Sequence, residues 1–295
     1  MATINTSMAI PRATTKHVQS PFKRISGYTL LYIVLAIIFL VQFFPLIWAL
    51  LTSLMTPQET TTIPATLLPA HPALTTYRQA LQGDIGRYYL NSVIASLVST
   101  LVTMVLATLA AYAFARLRFR YKTLLFIFVL SLSLFPPLAQ VIPLYQILQS
   151  LHLIGTLGAI ILPYSVFGLP LAVLTLMAFF QDVPLEFEEA AMVDGMRHVQ
   201  AFLRIILPMT IPGLFTTAVI VFVNDWNEYL FALNYTTTNT YTLPVGIVTI
   251  SQTEFTTNFG ILSAATIMSV VPLVILILLL ERRIVSGLTA GGLKG

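Results

Sequence analysis

Six long apolar segments alternate with polar stretches along the chain, at residues 27–51, 89–115, 122–142, 158–180, 209–233 and 260–280. Each is close to the roughly 20 residues that a helix needs to cross a bilayer core. The pattern predicts an all-α, polytopic membrane protein with six transmembrane helices. The second and fifth segments carry Ser, Thr and Asn, which suits helices that face protein rather than lipid. Prolines interrupt several segments, at Pro45, Pro136 with Pro137, Pro163, Pro170, Pro212 and Pro272. Each frees a backbone carbonyl that a neighbour, or water in a cavity, must satisfy. The fourth segment, with Pro163, Gly168 and Pro170, is the most broken. Its breaks suit either a kink for helix packing or the lining of a pathway.

The polar stretches set the orientation. Arg12, Lys16, Lys23 and Arg24 precede the first segment, and Arg116, Arg118, Arg120 and Lys122 follow the second. Arg197 and Arg204 follow the fourth, and Arg282, Arg283 and Lys294 follow the sixth. The alternate stretches hold only Arg78 and Arg87. The positive-inside rule therefore places both termini in the cytoplasm. The expected plan is a cytoplasmic tail at 1–26, a six-helix domain at 27–280 with a cytoplasmic loop at 181–208, and a cytoplasmic tail at 281–295. Segment 27–51 is too long for the core of a cleaved signal peptide. Of the outer loops, 52–88 is rich in Thr and Pro and is expected to be ordered only by packing. The loop 141–157 is uncharged, and 234–259 has Glu254 as its one charge.

Composition agrees with this plan and excludes several classes. The 295 residues are 57% hydrophobic and only 9% charged, with a mean hydropathy of +0.88, where a soluble domain has about a quarter charged residues. The net charge of +4 comes without a basic stripe interleaved with aromatics, so no nucleic-acid partner is expected. Cysteine is absent, and His17, His71, His152 and His198 lack ligand spacing, so no metal site is expected. There is no phosphate-binding loop, no Gly-x-Ser-x-Gly and no His-Glu-x-x-His, hence no predicted catalytic residue.

Two places concentrate what charge there is. The stretch 186–208 holds Glu186, Glu188, Glu189, Asp194, Arg197 and Arg204. Asp182 suits a helix cap there, Pro184 a first turn, and Gly195 the left-handed residue that ends a short helix. Asp225 and Glu228, in Asn224-Asp225-Trp226-Asn227-Glu228-Tyr229, are the acids inside a span. A helix rising from Pro208 carries Asp225 about 25 Å, toward the outer boundary. Trp226 and Tyr229 would be ordinary belt residues there. The acids then either anchor that rim or line a substrate path.

The cytoplasmic stretch can be written Glu189-Ala190-Ala191, three residues, Gly195, nine residues, Ile205, one residue, Leu207-Pro208. It resembles the EAA loop of ABC importer permeases. The run from Trp226 to Leu233 is similar to the fifth-span signature of the carbohydrate (MalG-like) group, as is the ending 282–295. The resemblance implies a type I ABC importer permease fold in the plasma (inner) membrane of a prokaryote. It implies import of a carbohydrate, a disaccharide or glycoside, by a subunit that is not itself an enzyme. The implied partners are a MalF-like second permease, two cytoplasmic MalK-like ATPase subunits and an extracytoplasmic sugar-binding protein, in membrane lipid. No cofactor is expected on this chain; ATP and Mg would sit on the partner ATPase. Glu188, Glu189, Ala190, Ala191, Asp194, Gly195, Ile205, Leu207 and Pro208 become ATPase-coupling residues. Gly291, Gly292 and Lys294 become a tail reaching between the ATPases by an extended path. Asn224, Asp225, Trp226, Asn227, Glu228, Gln140 and Tyr164 become candidates for the substrate path. A permease for another solute is the nearest alternative. An ion-coupled secondary transporter would want midplane ion ligands or an inverted repeat, and neither is evident.

Overall fold

The computed structural model of the chain describes residues 21–253 and 259–292, and every regular element within them is helical. The chain divides into two bodies, one up to Trp48 and one from Ala49 onward. The first is helix α1 (Pro21–Ser53), whose last turn passes into the second. Phe39 and Phe43, one turn apart, stack with ring centroids 4.2 Å apart. The chain is helical from Pro21, the first described residue, so Lys23 and Arg24 belong to α1 and not to a preceding tail. Residues 1–20 of the expected tail lie outside the described residues.

The second body contains α2 (Thr75–Gln82), α3 (Asp84–Arg116), α4 (Lys122–Ser131) and α5 (Pro137–Ser150). Then come α6 (Gly158–Phe167), α7 (Leu169–Asp182), α8 (Glu186–Val193) and α9 (His198–Ala201). A π-helical turn (Phe202–Ile206) leads to α10 (Leu207–Met209), α11 (Ile211–Trp226), α12 (Leu230–Tyr235), α13 (Leu243–Thr253) and α14 (Phe259–Gly292).

Helix α3 is the axis of this body. Ala95, Ser99, Thr103, Ala107 and Ala111 recur every four residues, and all five are 0% exposed. Residues four apart share one helix face. Such a stripe of small side chains lets other helices approach the α3 backbone closely. Helices α7, α11 and α6 pack on α3. Asp84 in its first turn and Arg116 in its last both complement the helix dipole. The expectation that the second and fifth apolar segments face protein is met, by α3 and α11.

Only some prolines mark breaks: Pro45, Pro163 and Pro272 sit inside continuous helices, against expectation. Pro170 has no N–H for the Val166 carbonyl, and α6 meets α7 at Gly168 with a 42° bend. Gly168 is held close to α3: an added Cβ would lie 3.1 Å from Thr103 Cγ2. Pro212 likewise cannot donate to the Pro208 carbonyl, and the 198–209 stretch meets α11 with a 75° bend. The sharpest break is thus at the entry to the fifth segment, not in the fourth. The segment expected at 122–142 is two helices, with Pro136 and Pro137 between α4 and the body of α5. Among the described residues, three continuous helices could cross a membrane by length and composition: Leu31–Ser53, Asp84–Arg116 and Phe259–Leu278. The two bent pairs pass the same test as units, and Lys122–Ser131 is a shorter apolar helix.

The loops 52–88 and 234–259 carry more structure than their composition predicts. In 52–88, Glu59 accepts hydrogen bonds from the Thr56 and Ala70 N–H groups at 2.8 and 2.9 Å. The Thr76 hydroxyl donates to the Ser53 carbonyl at 2.7 Å. The loop is therefore held by specific bonds as well as packing. The loop 234–259 contains α13, while Glu254 lies outside the described residues. The C-terminal tail also differs from expectation: α14 continues through Gly291 and Gly292 as helix, not as an extended path. Lys294 lies outside the described residues.

Candidate functional site

The charged stretch 186–208 folds as helix, turn, helix. Glu186, Glu188 and Glu189 fill the first turn of α8, where carboxylates face the free N–H groups of the helix start. Asp182 is the last residue of α7, two residues past the expected end of the fourth segment, and Leu185 holds the position before α8. Pro184 lies before the helix, and its carbonyl accepts the Phe187 N–H. Gly195 ends the turn with φ +85°. The N–H of Gly195 donates to the Met192 carbonyl and that of Met196 to the Ala191 carbonyl, each at 3.0 Å. This double closure is the Schellman motif. Nothing lies within 4 Å of a Cβ added to Gly195. Glycine is needed there by the backbone angle, not by space.

Helix α8 has two faces. Glu189, Ala190, Val193 and Asp194 are exposed, whereas Glu188 and Ala191 are buried. Ala190 and Ala191 therefore do not form one docking surface: successive residues point about 100° apart on a helix. Buried Glu188 accepts a hydrogen bond from the Tyr112 hydroxyl of α3 at 2.6 Å. His198 Nδ1 lies 3.6 Å from the same oxygen. The Tyr112 ring packs on Phe202, centroids 4.4 Å apart, and edge-on to Phe180. One turn along α3, Arg116 donates to the carbonyls of Phe180 (2.6 Å) and Val183, closing the end of α7. Ile205 and Leu207 are half-buried and Pro208 is exposed. Pro208 does not open the next span, which starts at Ile211 beyond the 75° bend. The Thr210 hydroxyl donates back to the Ile206 and Leu207 carbonyls, which steadies that corner.

A second polar group lies farther up α3. The Ser99 hydroxyl donates to Asp225 on α11 at 2.5 Å, and both residues are buried. Asp225 is thus buried inside the protein. Trp226 is not a belt residue: it is 2% exposed, and its Nε1 donates to the Ser269 carbonyl of α14. The straight-helix measure from Pro208 failed at the bend. Glu228 accepts from the N–H groups of Phe231 and Ala232, at 2.8 and 3.1 Å, and from the Tyr164 hydroxyl at 2.6 Å. It holds the start of α12 against α6. A cavity of about 150 Å³ opens between these breaks, lined by Tyr164, Gly168, Asn224, Asp225 and Glu228 with apolar neighbours. Four of the seven substrate-path candidates meet there. Trp226 and Asn227 do not line it, and Asn227 donates to its own helix at Val223. Gln140 does not line it either, and caps the Phe135 carbonyl instead. A wider apolar groove of about 900 Å³ runs between α3 and the α10–α11 corner.

Residues 103–289, which hold both groups apart from Ser99, match the family described as Binding-protein-dependent transport system inner membrane component. The chain belongs to this family. A permease of this kind is a membrane component of a transport system that works with a substrate-binding protein, and it is not an enzyme. Among its relatives is the sulfoquinovosyl glycerol transport system permease protein SmoH of Agrobacterium fabrum (strain C58 / ATCC 33970). The two are 40% identical over 272 residues, 92% of this permease and 95% of SmoH. The trehalose transport system permease protein SugB of Mycobacterium tuberculosis (strain CDC 1551 / Oshkosh) is 38% identical over 254 residues, 85% of this permease and 92% of SugB. A chain in the crystal structure of a bacterial ABC transporter involved in the import of the acidic polysaccharide alginate shares the fold. Its TM-score is 0.77 at 20% identity, over 90% of this permease and 98% of that chain. The type I importer fold expected from the resemblance is the fold of this permease.

Two residues that matter to both sites escaped the sequence reading, Tyr112 and Ser99. Ser99 could have been found as the polar member of the four-residue stripe on α3. Tyr112 is a hydroxyl-bearing ring one turn before Arg116, a position that looks interfacial until α8 folds against it.

Proposed function

We propose that this chain is a transmembrane permease subunit of an ATP-driven importer for a carbohydrate, a disaccharide or glycoside. It pairs with a second, MalF-like permease. Two MalK-like ATPase subunits bind on the cytoplasmic side and carry the ATP and Mg, and a sugar-binding protein delivers cargo from outside. The chain crosses the membrane six times, with both termini and the 181–208 loop in the cytoplasm. The observation that carries this reading is α8 with its Gly195 turn: a short, acidic-started helix, fixed to the body by one face and free on the other. Glu189, Ala190 and Asp194 on the free face supply the ATPase contact. Gly195 sets the angle, and Ile205, Leu207 and Pro208 carry the motion onward. Glu188 and Ala191, on the inner face, hold the helix in place. A lipid-surface helix would instead be basic on its polar side.

The names of SmoH and SugB support a glycosidic cargo. The cavity between the helix breaks supports a transport path through the same body. At about 150 Å³ it is smaller than the roughly 300–1,000 Å³ of complete small-molecule sites. The sugar path is therefore completed by the second permease, which the apolar groove beside α3 gives a face to pack on. Within the cavity, Asn224 offers an exposed amide, whereas Asp225 is held by Ser99 of α3 and Glu228 is held by Tyr164 of α6.

Reconstitution tests this. Tagged chain, expressed with its neighbouring transport genes, should co-purify with a second permease and an ATPase. Hydrolysis by that complex should rise when its binding protein carries a disaccharide or glycoside. A chain that transports alone, or a complex stimulated only by a non-carbohydrate, would reject the reading.

A further inference from the structure

The coupling helix is fastened to the rest of the permease in an unusual way. Its inner face offers one buried carboxylate, Glu188, 4% exposed. The Tyr112 hydroxyl, at 2.6 Å, is the one hydrogen bond to that carboxylate among the described residues: Glu188 Oε2 has no partner, and His198 Nδ1 at 3.6 Å is beyond hydrogen-bond range. Buried carboxylates are costly unless bonded, so this bond ties α8 to α3. Tyr112 itself cannot swing. Its ring is wedged among Phe180 of α7 and Phe202 of the π turn, and the residue is 7% exposed. Arg116 beside it ties the end of α7 to α3 as well. One uninterrupted helix then runs from Tyr112 back to Ser99, 13 residues or about 20 Å away. There Ser99 holds Asp225 at the cavity.

The geometry points to the Tyr112–Glu188 hydrogen bond as the joint through which α8 drives α3, the two helices moving as one body during transport. Tyr112 and Glu188 are then positioning residues. They touch neither cargo nor ATPase, and they deliver displacement of the coupling helix to α3, whose Ser99 holds Asp225 at the cavity. The inference rests on the coupling role proposed above and is independent of which sugar is carried.

The test exploits the absence of cysteine from the chain. A Tyr112→Cys/Glu188→Cys pair removes the bond, and a short bifunctional thiosulfonate then replaces it with a covalent bridge. The whole complex is assayed for ATP hydrolysis stimulated by loaded binding protein, at equal subunit stoichiometry. The unbridged pair should lose about tenfold or more of that stimulation, the scale of a lost charge-assisted hydrogen bond. The bridged pair should recover to within about twofold of the parent if the bond's whole effect is to join the helices. Stimulation unchanged before bridging, or still lost after it, overturns the proposal. Tyr112→Phe provides the check on folding. It should assemble with its partners and be weakly stimulated, and failure to assemble would make the bond a folding contact and overturn the joint. Glu189→Lys in the same assay separates the two levels. If it behaves as the parent, the coupling reading itself fails. If it is impaired while the unbridged cysteine pair is not, only the joint fails.

Discussion

Glu59 shows how much one half-buried side chain can organise. Its carboxylate gathers the N–H groups of Thr56 and Ala70 and the Thr56 hydroxyl. The backbone N–H of Thr56, then that of Ala70, hold its pKa below the ordinary 4.5. A depressed carboxyl contributes stability that is present above its unfolded pKa and lost as pH falls through the folded one. Glu59→Gln should speed hydrogen exchange at Thr56 and Ala70 at neutral pH, and its difference from the parent should vanish in acid. Ser99 plays the corresponding part inside the body. Ser99→Ala leaves the buried Asp225 carboxyl without its partner and should cost about 1–3 kcal/mol in thermal unfolding of the purified permease. The sequence made Asp225 visible as an ionisable group in an apolar run, but not its surroundings. Burial there depends on a residue 126 positions earlier, and no local pattern reports a contact at that separation. Gly195 was legible for the opposite reason, since the helix end it makes involves only its own neighbours.

At the scale of the element, α8 and its turn behave as a unit whose end is set by one angle. A side chain at φ +85° costs about 1–2 kcal/mol, and a β-branched one more. Gly195→Val should therefore leave the permease in the membrane while uncoupling hydrolysis from uptake, read as ATP consumed per sugar imported. Because no atom crowds that position, relief by a second, space-making substitution is not expected. Helix breaks were half legible. Pro136–Pro137, Pro170 and Pro212 each mark a real interruption, but the size of a bend is set by what packs on it. Gly213 illustrates this: an added Cβ would strike the Phe179 ring at 2.3 Å, so α11 leaves its bend pressed against α7. The run of Gly291 and Gly292 misled for a related reason, as glycine permits an extended path but does not impose one.

For the whole molecule, hydropathy carried most of the helical architecture, because a bilayer leaves few ways to satisfy a backbone, and the placement of Arg and Lys adds an orientation. The orientation they give can be checked with single cysteines in this cysteine-free chain. Thr62→Cys should react with an impermeant maleimide in intact cells, and Val199→Cys only after the membrane is opened; both positions are exposed. What local pattern could not supply is the way distant pieces close on each other. Tyr112 with Glu188 ties α3 to α8, and the Gly195 turn leads from α8 to α9. The corner at Thr210 leads on to α11, and Asp225 with Ser99 returns to α3. In the language of machines this is a four-bar linkage, a ring of stiff rods in which no hinge can turn alone. Substitutions more than about 7–10 Å apart ordinarily add within roughly 0.5 kcal/mol. Tyr112→Phe combined with Ser99→Ala should break that rule, with the second change costing less once the ring has been cut.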